Sequence, residues 1–180
     1  MRRLMLVGVL GTLLLGAAGA RPAAARSNDG RLALGAAQTL GGVSGIDLVR
    51  WFGKVGFNAT LGAEVVSPEQ GDSAKGVALA LGGLYPIASA DSAELSIGGR
   101  VDLAYFSRGD QSATQIDLEL PLRVEWWLAE ALSLSVEVGV VVELVPAEGR
   151  VIGSGAAAEG TGLSLGDSGL VGGAGFHFYF

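Results

Sequence analysis

Apolar and polar side chains alternate along most of the chain after residue 30. In the segment Thr114–Trp127, every second residue from Ile116 to Trp126 is apolar, and the residues between them include Asp117 and Glu125. A period of two places these two sets on opposite faces of a β-strand, whereas a helix would spread the charges around its whole circumference. The pattern predicts an all-β protein.

Eight segments of this kind follow one another and predict eight strands. They are residues 31–36, 45–52, 55–65, 77–87, 95–105, 114–127, 132–144 and 168–180. Segment 45–52 is the weakest, because Ile46 and Leu48 place Arg50 on the apolar face; we expect a bulge or an early strand end near Val49. Most segments reach the roughly 9–11 residues that a membrane-spanning strand needs.

The predicted connections fall into two kinds, short turns at one end and longer polar loops at the other. Short turns are predicted at Phe52–Lys54, Ala88–Ala93 and Leu128–Ala131. Longer segments rich in Gly, Ser and acidic residues are Ser67–Ala74, Ser107–Ala113 and Val145–Asp167, whereas Gly41–Ser44 is brief. This asymmetry is typical of transmembrane β-barrels.

Residues 1–25 have the three parts of a secretory signal peptide. Arg2 and Arg3 precede an apolar run from Leu4 to Leu15, and small residues follow. Two cleavage motifs are available, Ala18-Gly19-Ala20 and Ala23-Ala24-Ala25. The alternative, a short membrane anchor, is disfavoured because the run is shorter than the ~20 residues that span a bilayer. We expect residues 1–25 to be a cleaved signal peptide and residues 26–180 to form one exported domain.

The composition combines 49% hydrophobic with only 17% charged residues, yet no segment after residue 26 resembles a membrane-spanning helix. In hydrocarbon, only helices and closed barrels satisfy every backbone hydrogen bond. We therefore predict an eight-stranded antiparallel up-and-down transmembrane β-barrel. The net charge of −6 argues against a nucleic-acid partner, and the absence of cysteine excludes disulfides and a lipoprotein anchor.

Alternation fits two opposite barrels, a soluble lipocalin-like barrel with an apolar interior and a membrane barrel with an apolar exterior. The polar face mixes opposite charges with Gly, Ala and Ser, which suits the narrow lumen of eight strands. Charges buried there must pair. The predicted lumen network is Arg31, Asp47, Glu64, Arg100, Asp102, Asp117, Glu119, Arg123, Glu125, Glu137 and Glu143.

Aromatic residues cluster at the end of the predicted barrel that carries the short turns. Amphipathic rings favour the interface between membrane and water. We predict an aromatic girdle made of Trp51, Phe52, Tyr85, Trp126, Trp127, Tyr179 and Phe180.

The last six residues, Gly175 to Phe180, alternate aromatic with other side chains and end on phenylalanine. Phe176, Phe178 and Phe180 in this arrangement resemble the terminal signature of bacterial outer-membrane barrels. Together with the strand count, the chain resembles the small eight-stranded barrels of OmpA/OmpX type. The resemblance implies recognition by the barrel-assembly machinery, contact with outer-membrane lipid in a Gram-negative bacterium, and a monomer.

Candidate chemistry centres on His177, the single histidine. A lipid-deacylating barrel would need a serine and an acid beside it, and its own strand offers none nearby, since Ser168 lies at the far end. We therefore expect a structural histidine. No metal-ligand spacing and no phosphate-binding loop is present, so we predict neither a metal nor a cofactor.

The sequence thus favours a non-enzymatic integral barrel that serves envelope structure or surface contact through its loops, with a lumen filled by side chains. Two alternatives remain open at this point: a lipid-modifying barrel enzyme, and a soluble periplasmic barrel that binds a small apolar ligand.

Overall fold

The computed structural model describes residues 28–67, 73–152, 160–165 and 172–180. These residues form strands and their connections. The strands are β1 (Leu32–Gln38), β2 (Ser44–Phe52), β3 (Val55–Val66), β4 (Ala74–Ser89), β5 (Ala93–Arg108), β6 (Gln111–Trp127), β7 (Leu132–Val145), β8 (Gly160–Leu165) and β9 (Ala174–Tyr179). Across the described ranges, no helix is both long and apolar enough to cross a membrane.

Antiparallel pairing of sequence neighbours runs without interruption from β1 to β7. β9 then pairs with β7 on one side and with β1 on the other, so that Phe178 lies opposite both Leu132 and Leu34. This double pairing closes the sheet and leaves no free edge at that level. The prediction of an eight-stranded antiparallel up-and-down barrel is confirmed.

The eighth position of the barrel is shared by β8 and β9, a feature absent from the sequence prediction. β8 pairs with the second half of β7, where Leu165 lies opposite Val140, and β9 pairs with the first half, where Ala174 lies opposite Val136. Four residue steps along β7, from Val136 to Val140, thus correspond to nine steps along the chain between Leu165 and Ala174. The prediction of loop throughout 145–167 is wrong for Gly160–Leu165, and residues 168–171 of the predicted last strand lie outside the described residues.

Two further predictions are corrected. β2 keeps one register with β1 and β3 through Phe52, so the bulge expected near Val49 does not form and Arg50 faces outward. Its guanidinium lies 5.6 Å from the centre of the Phe52 ring on the same outer face. The predicted loop Ser107–Ala113 is instead a two-residue hairpin turn, in which Gly109 has a φ of 57°.

The outer wall of the barrel is apolar and the lumen is polar. Ile46, Leu120 and Val65 are 64%, 64% and 69% exposed, whereas alternate residues such as Asp47 and Glu119 are almost fully buried. A soluble barrel would have the reverse arrangement, because its apolar face must be withdrawn from water. The lipocalin-like alternative is therefore excluded by the direction of the side chains.

We call the two ends of the barrel the turn end and the loop end. The turn end carries the connections of β2 to β3, β4 to β5 and β6 to β7, together with Asn28 and Phe180. The loop end carries the connections of β1 to β2, β3 to β4, β5 to β6 and β7 to β8.

Candidate functional site: the charged lumen

The middle of the lumen is held by Arg100 on β5. Its Nη1 donates to Glu119 at 2.7 Å, and Nη1 and Nη2 donate to the two carboxylate oxygens of Glu137 at 2.9 and 2.8 Å. The three side chains are at most 6% exposed and connect β5, β6 and β7 across the lumen. A bidentate guanidinium–carboxylate pair fixes both partners in one orientation. Arg100 therefore pairs with two buried carboxylates at once.

A second cluster lies toward the turn end around His177, which is fully buried. Arg123 Nη2 donates to His177 Nδ1 at 3.0 Å, and His177 Nε2 donates to Asp47 at 2.7 Å. This pairing assigns the neutral tautomer with its proton on Nε2, because a guanidinium can only donate. Thr60 donates to the other Asp47 oxygen at 2.7 Å. Both ring nitrogens of His177 are thus engaged.

Glu125 is the centre of the next layer of hydrogen bonds toward the turn end. It accepts hydrogen bonds from the hydroxyls of Ser133 and Tyr179, the latter at 2.8 Å, and its second oxygen lies 3.4 Å from Arg123. Ser133 stands directly opposite His177 on neighbouring strands, yet its hydroxyl donates to Glu125. The strand register thus places Ser133 beside His177, a neighbour that the sequence could not predict. The hydrogen bond from Ser133 to Glu125 gives this serine a structural role.

The turn end of the lumen is closed by an apolar plug. The buried residues of this plug pack together on the turn-end side of the Glu125 layer, and the half-buried Trp127 packs against them. The buried residues are Ala33, Val49, Trp51, Leu84 and Tyr179. The Arg31 guanidinium lies 5.3 Å from the Trp127 ring centre and 4.9 Å from that of Tyr179. Asn28 lies in the same mouth, where its amide donates to Glu94 at 3.4 Å.

The loop end is closed by the connection between β1 and β2, which turns inward. Thr39 donates to Asp102 at 3.0 Å, and the Gly41 backbone N–H donates to Glu119. A Cβ added to Gly41 would lie 2.6 Å from the Asp102 carboxylate and 2.8 Å from that of Glu119, so a larger residue would force these carboxylates to shift. The turn therefore caps the acidic middle of the lumen with backbone.

A second segment covers the loop end beside this turn. The side chain of Gln115 accepts from the backbone N–H groups of Val151 and Ile152 at 2.7 and 3.2 Å, and it donates to Asp117 at 2.9 Å. Arg150 pairs with Glu143 at 2.5 Å. Buried lumen groups thus hold the connection after β7 across the barrel mouth.

Most of the predicted lumen residues are brought together in these layers, and two lie apart. Arg31 lies at the rim of the turn end over aromatic rings, and Glu64 lies exposed near the loop end. Those within the layers are Asp47, Arg100, Asp102, Asp117, Glu119, Arg123, Glu125, Glu137 and Glu143. The described residues contain no group of His, Cys, Asp and Glu arranged to hold a metal ion.

The aromatic residues predicted as a girdle divide into an outward-facing, a half-buried and an inward-facing set. Phe52, Tyr85 and Phe180 face outward and are 59%, 49% and 71% exposed, and Trp126 and Trp127 are half-buried. Trp51 and Tyr179 point into the lumen and are buried. The three phenylalanines of the predicted assembly signal, Phe176, Phe178 and Phe180, all lie on the outer wall.

Several lumen residues were missed by sequence reasoning because they are uncharged. Thr39, Thr60, Gln115 and Ser133 supply the hydrogen bonds that link the charged layers. Parity along their strands would have placed Thr60, Gln115 and Ser133 in the lumen. No comparable signal marks Thr39 or Gly41, since they lie in a connection.

The fold and the lumen define a closed eight-stranded β-barrel with an apolar outer wall and a charged, filled interior, which is the arrangement of a transmembrane barrel. No family model matches the sequence, and no curated protein matches it. Among solved structures, the chain is similar to the N-terminal β-barrel domain of OprF from Pseudomonas aeruginosa, with 10% identity, a TM-score of 0.49, and coverage of 86% of this chain and 100% of that chain. It is also similar to neisserial surface protein A (NspA), with 15% identity, a TM-score of 0.47, and coverage of 83% and 94% respectively.

Proposed function

We propose that this protein is an integral outer-membrane β-barrel. The observation that carries the proposal is the outer wall, where large apolar side chains stand exposed on successive strands around the barrel. Water would make such a surface strongly unfavourable, whereas lipid chains match it. Only a closed barrel lets strands enter hydrocarbon with their backbone groups paired.

The loop end faces outward from the cell in this proposal. Tyr85, Phe52 and Phe180 lie on the outer wall near the turn end, where they mark one membrane interface. β5 and β6 have 16 and 17 residues, and strands of that length tilted by about 40° rise roughly 40 Å. The apolar band of such barrels is about 25 Å tall, so these strands project beyond the membrane at the loop end.

The barrel serves envelope structure or surface contact and is not an enzyme or a general pore. Its lumen is closed by the apolar plug, the Arg100 and Arg123 layers, and the inward turn. Eight strands enclose a lumen that side chains largely fill, whereas water-filled porins need about sixteen.

A lipid-modifying activity of His177 is disfavoured by its surroundings. A general base needs a free nitrogen facing the nucleophile, and both His177 nitrogens are engaged by Arg123 and Asp47. The ring is fully buried in the lumen, away from the lipid-facing wall.

The remaining parts of the proposal concern export and assembly. Asn28 and Arg31 fit closely into the turn-end mouth, which supports removal of a signal peptide over residues 1–25 and a mature domain over 26–180. Outward-facing Phe176, Phe178 and Phe180 support a contact with the barrel-assembly machinery. The described strands close the sheet and pair the buried lumen charges within one chain, which supports a monomer.

The test is heat-modifiability after expression in a Gram-negative host with residues 1–25 intact. Outer membranes are isolated, and unboiled and boiled samples are compared on a denaturing gel. We expect a membrane-fraction band that migrates differently without boiling, because a closed barrel resists detergent at room temperature. Recovery from the soluble periplasm without a band shift would overturn the proposal.

A further inference from the structure

A cavity of about 440 Å³ lies at the loop end, above the inward turn and outside the charged layers. Gly42, Val43 and Ser44 form its floor, and Val151 and Ile152 lie along one side. β3, β4 and β5 form its wall. Cavities of this size accept small organic molecules.

The cavity exists because the lumen-facing residues of three adjacent strands become small at this level. Gly62, Gly76, Ala78 and Ala104 line it, and none has a side chain larger than a methyl group. A Cβ added to Gly76 would meet its nearest atoms at 3.7 to 4.0 Å, which is ordinary contact, so this part of the wall accepts an added methyl group without a clash. Here the strands leave the lumen unfilled.

Two larger side chains flank that free space. The Cβ position of Gly76 lies 3.8 Å from the Phe106 ring and 4.0 Å from Glu64 Cβ. Among the described residues that line the cavity, Glu64 is the one with a charged side chain, and Phe106 offers an aromatic surface. A carboxylate beside an aromatic ring attracts a cation from two sides.

The ionisable groups beneath the floor of the cavity are mainly acidic, as Glu64 is. Asp102, Asp117 and Glu119 lie below the inward turn, with Arg100 as the guanidinium among them. Arg100 is shared between Glu119 and Glu137, so its single positive charge does not balance both carboxylates. The low dielectric of the barrel wall lets that potential reach the cavity.

The cavity is also accessible. β2 begins at Ser44, whereas its neighbour β3 continues to Val66 in pairing with β4. The barrel wall formed by these described strands is therefore lower beside Glu64, which is exposed.

We propose that this cavity binds a small organic cation, an ammonium group carried on an apolar body. The ammonium pairs with Glu64 and lies against Phe106, and the apolar body fills the space in front of Gly76 and Ala78 toward Val43 and Ile152. Binding requires the folded barrel only, so its failure would leave the membrane proposal standing.

The test uses the protein in phosphatidylcholine nanodiscs and two probes, 1-naphthylmethylammonium and the neutral 1-naphthylmethanol. Binding is measured by calorimetry, and the heat of empty nanodiscs is subtracted. We expect one saturable site with affinity for the ammonium on the order of tenfold above that for the alcohol, as a charge-assisted hydrogen bond implies.

Three variants and one control variant locate the site. Glu64→Gln removes the preference for the ammonium, whereas Glu148→Gln, which removes an exposed acid at the same end, keeps it. Gly76→Leu fills the cavity and abolishes saturable binding of both probes, and Ala78→Phe does the same from a position two residues further along β4. The heat-shifted band of each variant shows that its barrel is folded.

Three outcomes would overturn the proposal. The first is absence of saturable binding by the unaltered protein. The second is equal binding by the unaltered protein and the two cavity-filling variants, which would place the probe in lipid. The third is an undiminished preference for the ammonium in Glu64→Gln.

Discussion

At the scale of single residues, the lumen combines charges that are individually unfavourable in a narrow barrel. Arg100 and Arg123 are buried, and each has more than one partner. Burial of an ion is tolerated only when its partners and hydrogen bonds replace the lost water. The uncharged hydroxyl groups of Thr60 and Ser133 donate further hydrogen bonds to Asp47 and Glu125, in place of lost water. The network is thus interdependent.

We expect Arg100→Ala to destabilise the folded barrel by about 3–5 kcal/mol, because Glu119 and Glu137 would keep their burial and lose their cation. The free energy of unfolding is measured by urea titration in lipid vesicles. Arg108→Ala, at the exposed end of the same strand, serves as the control and should change it by less than about 0.5 kcal/mol. Equal losses in the two variants would contradict the role of Arg100.

At the scale of elements, the paired strands form the barrel wall and the inward turn covers the loop end of the lumen. Strands β3 to β7 form the tall wall, and the short β1 and β2 end early at the loop end. The connection Thr39–Val43 turns into the lumen there and satisfies Asp102 and Glu119. Its conformation depends on Gly41, which lies between two carboxylates, and on Gly42, which has a φ of 100°.

Gly41→Ala should lower the stability of the barrel by about 1–3 kcal/mol, because the added methyl group would force the Asp102 and Glu119 carboxylates apart in a packed space. Gly99→Ala is the matched control, since a Cβ at Gly99 meets nothing within 4 Å. The temperature at which the unboiled band disappears from a gel measures the difference. A drop in Gly99→Ala as large as that in Gly41→Ala would show a general strand effect.

At the scale of the whole molecule, the barrel is inverted relative to a soluble protein. The lumen contains the ion pairs, and the outer wall contains the residues that a soluble protein would bury. The closed pairing from β1 through β9 makes this possible, because no backbone edge meets lipid where β7, β9 and β1 join.

This inversion predicts the result of placing charge on the outer wall. Leu120 is 64% exposed at the middle of β6, and Leu120→Arg should cost about 2–4 kcal/mol in lipid. Val65→Arg, at the loop end of β3, should cost about 0–1 kcal/mol, since that position lies near or beyond the interface. Unfolding titrations in vesicles compare the two. A protein surrounded by water would tolerate both, and that result would contradict the membrane location.

The sequence alone determined the strands and the direction of most side chains, because period-two alternation is a local property of each segment. It placed Arg100, Asp117 and Glu119 in the lumen, and the number of strands followed from the number of segments. The same alternation also places Trp51 and Tyr179 on the lumen face of their strands. The girdle prediction missed this because it grouped aromatic residues by their position along the barrel axis and not by strand face.

Only the tertiary structure decided which lumen residues meet. Closure of the barrel brings Asp47 of β2 to His177 of β9, 130 positions apart, and no local pattern encodes that contact. The inward turn, the interrupted eighth strand and the cavity beside Glu64 likewise depend on where strands of unequal length end against one another. Alternation fixes which face of a strand a residue occupies, whereas register and closure fix its neighbours, and these depend on the whole sheet.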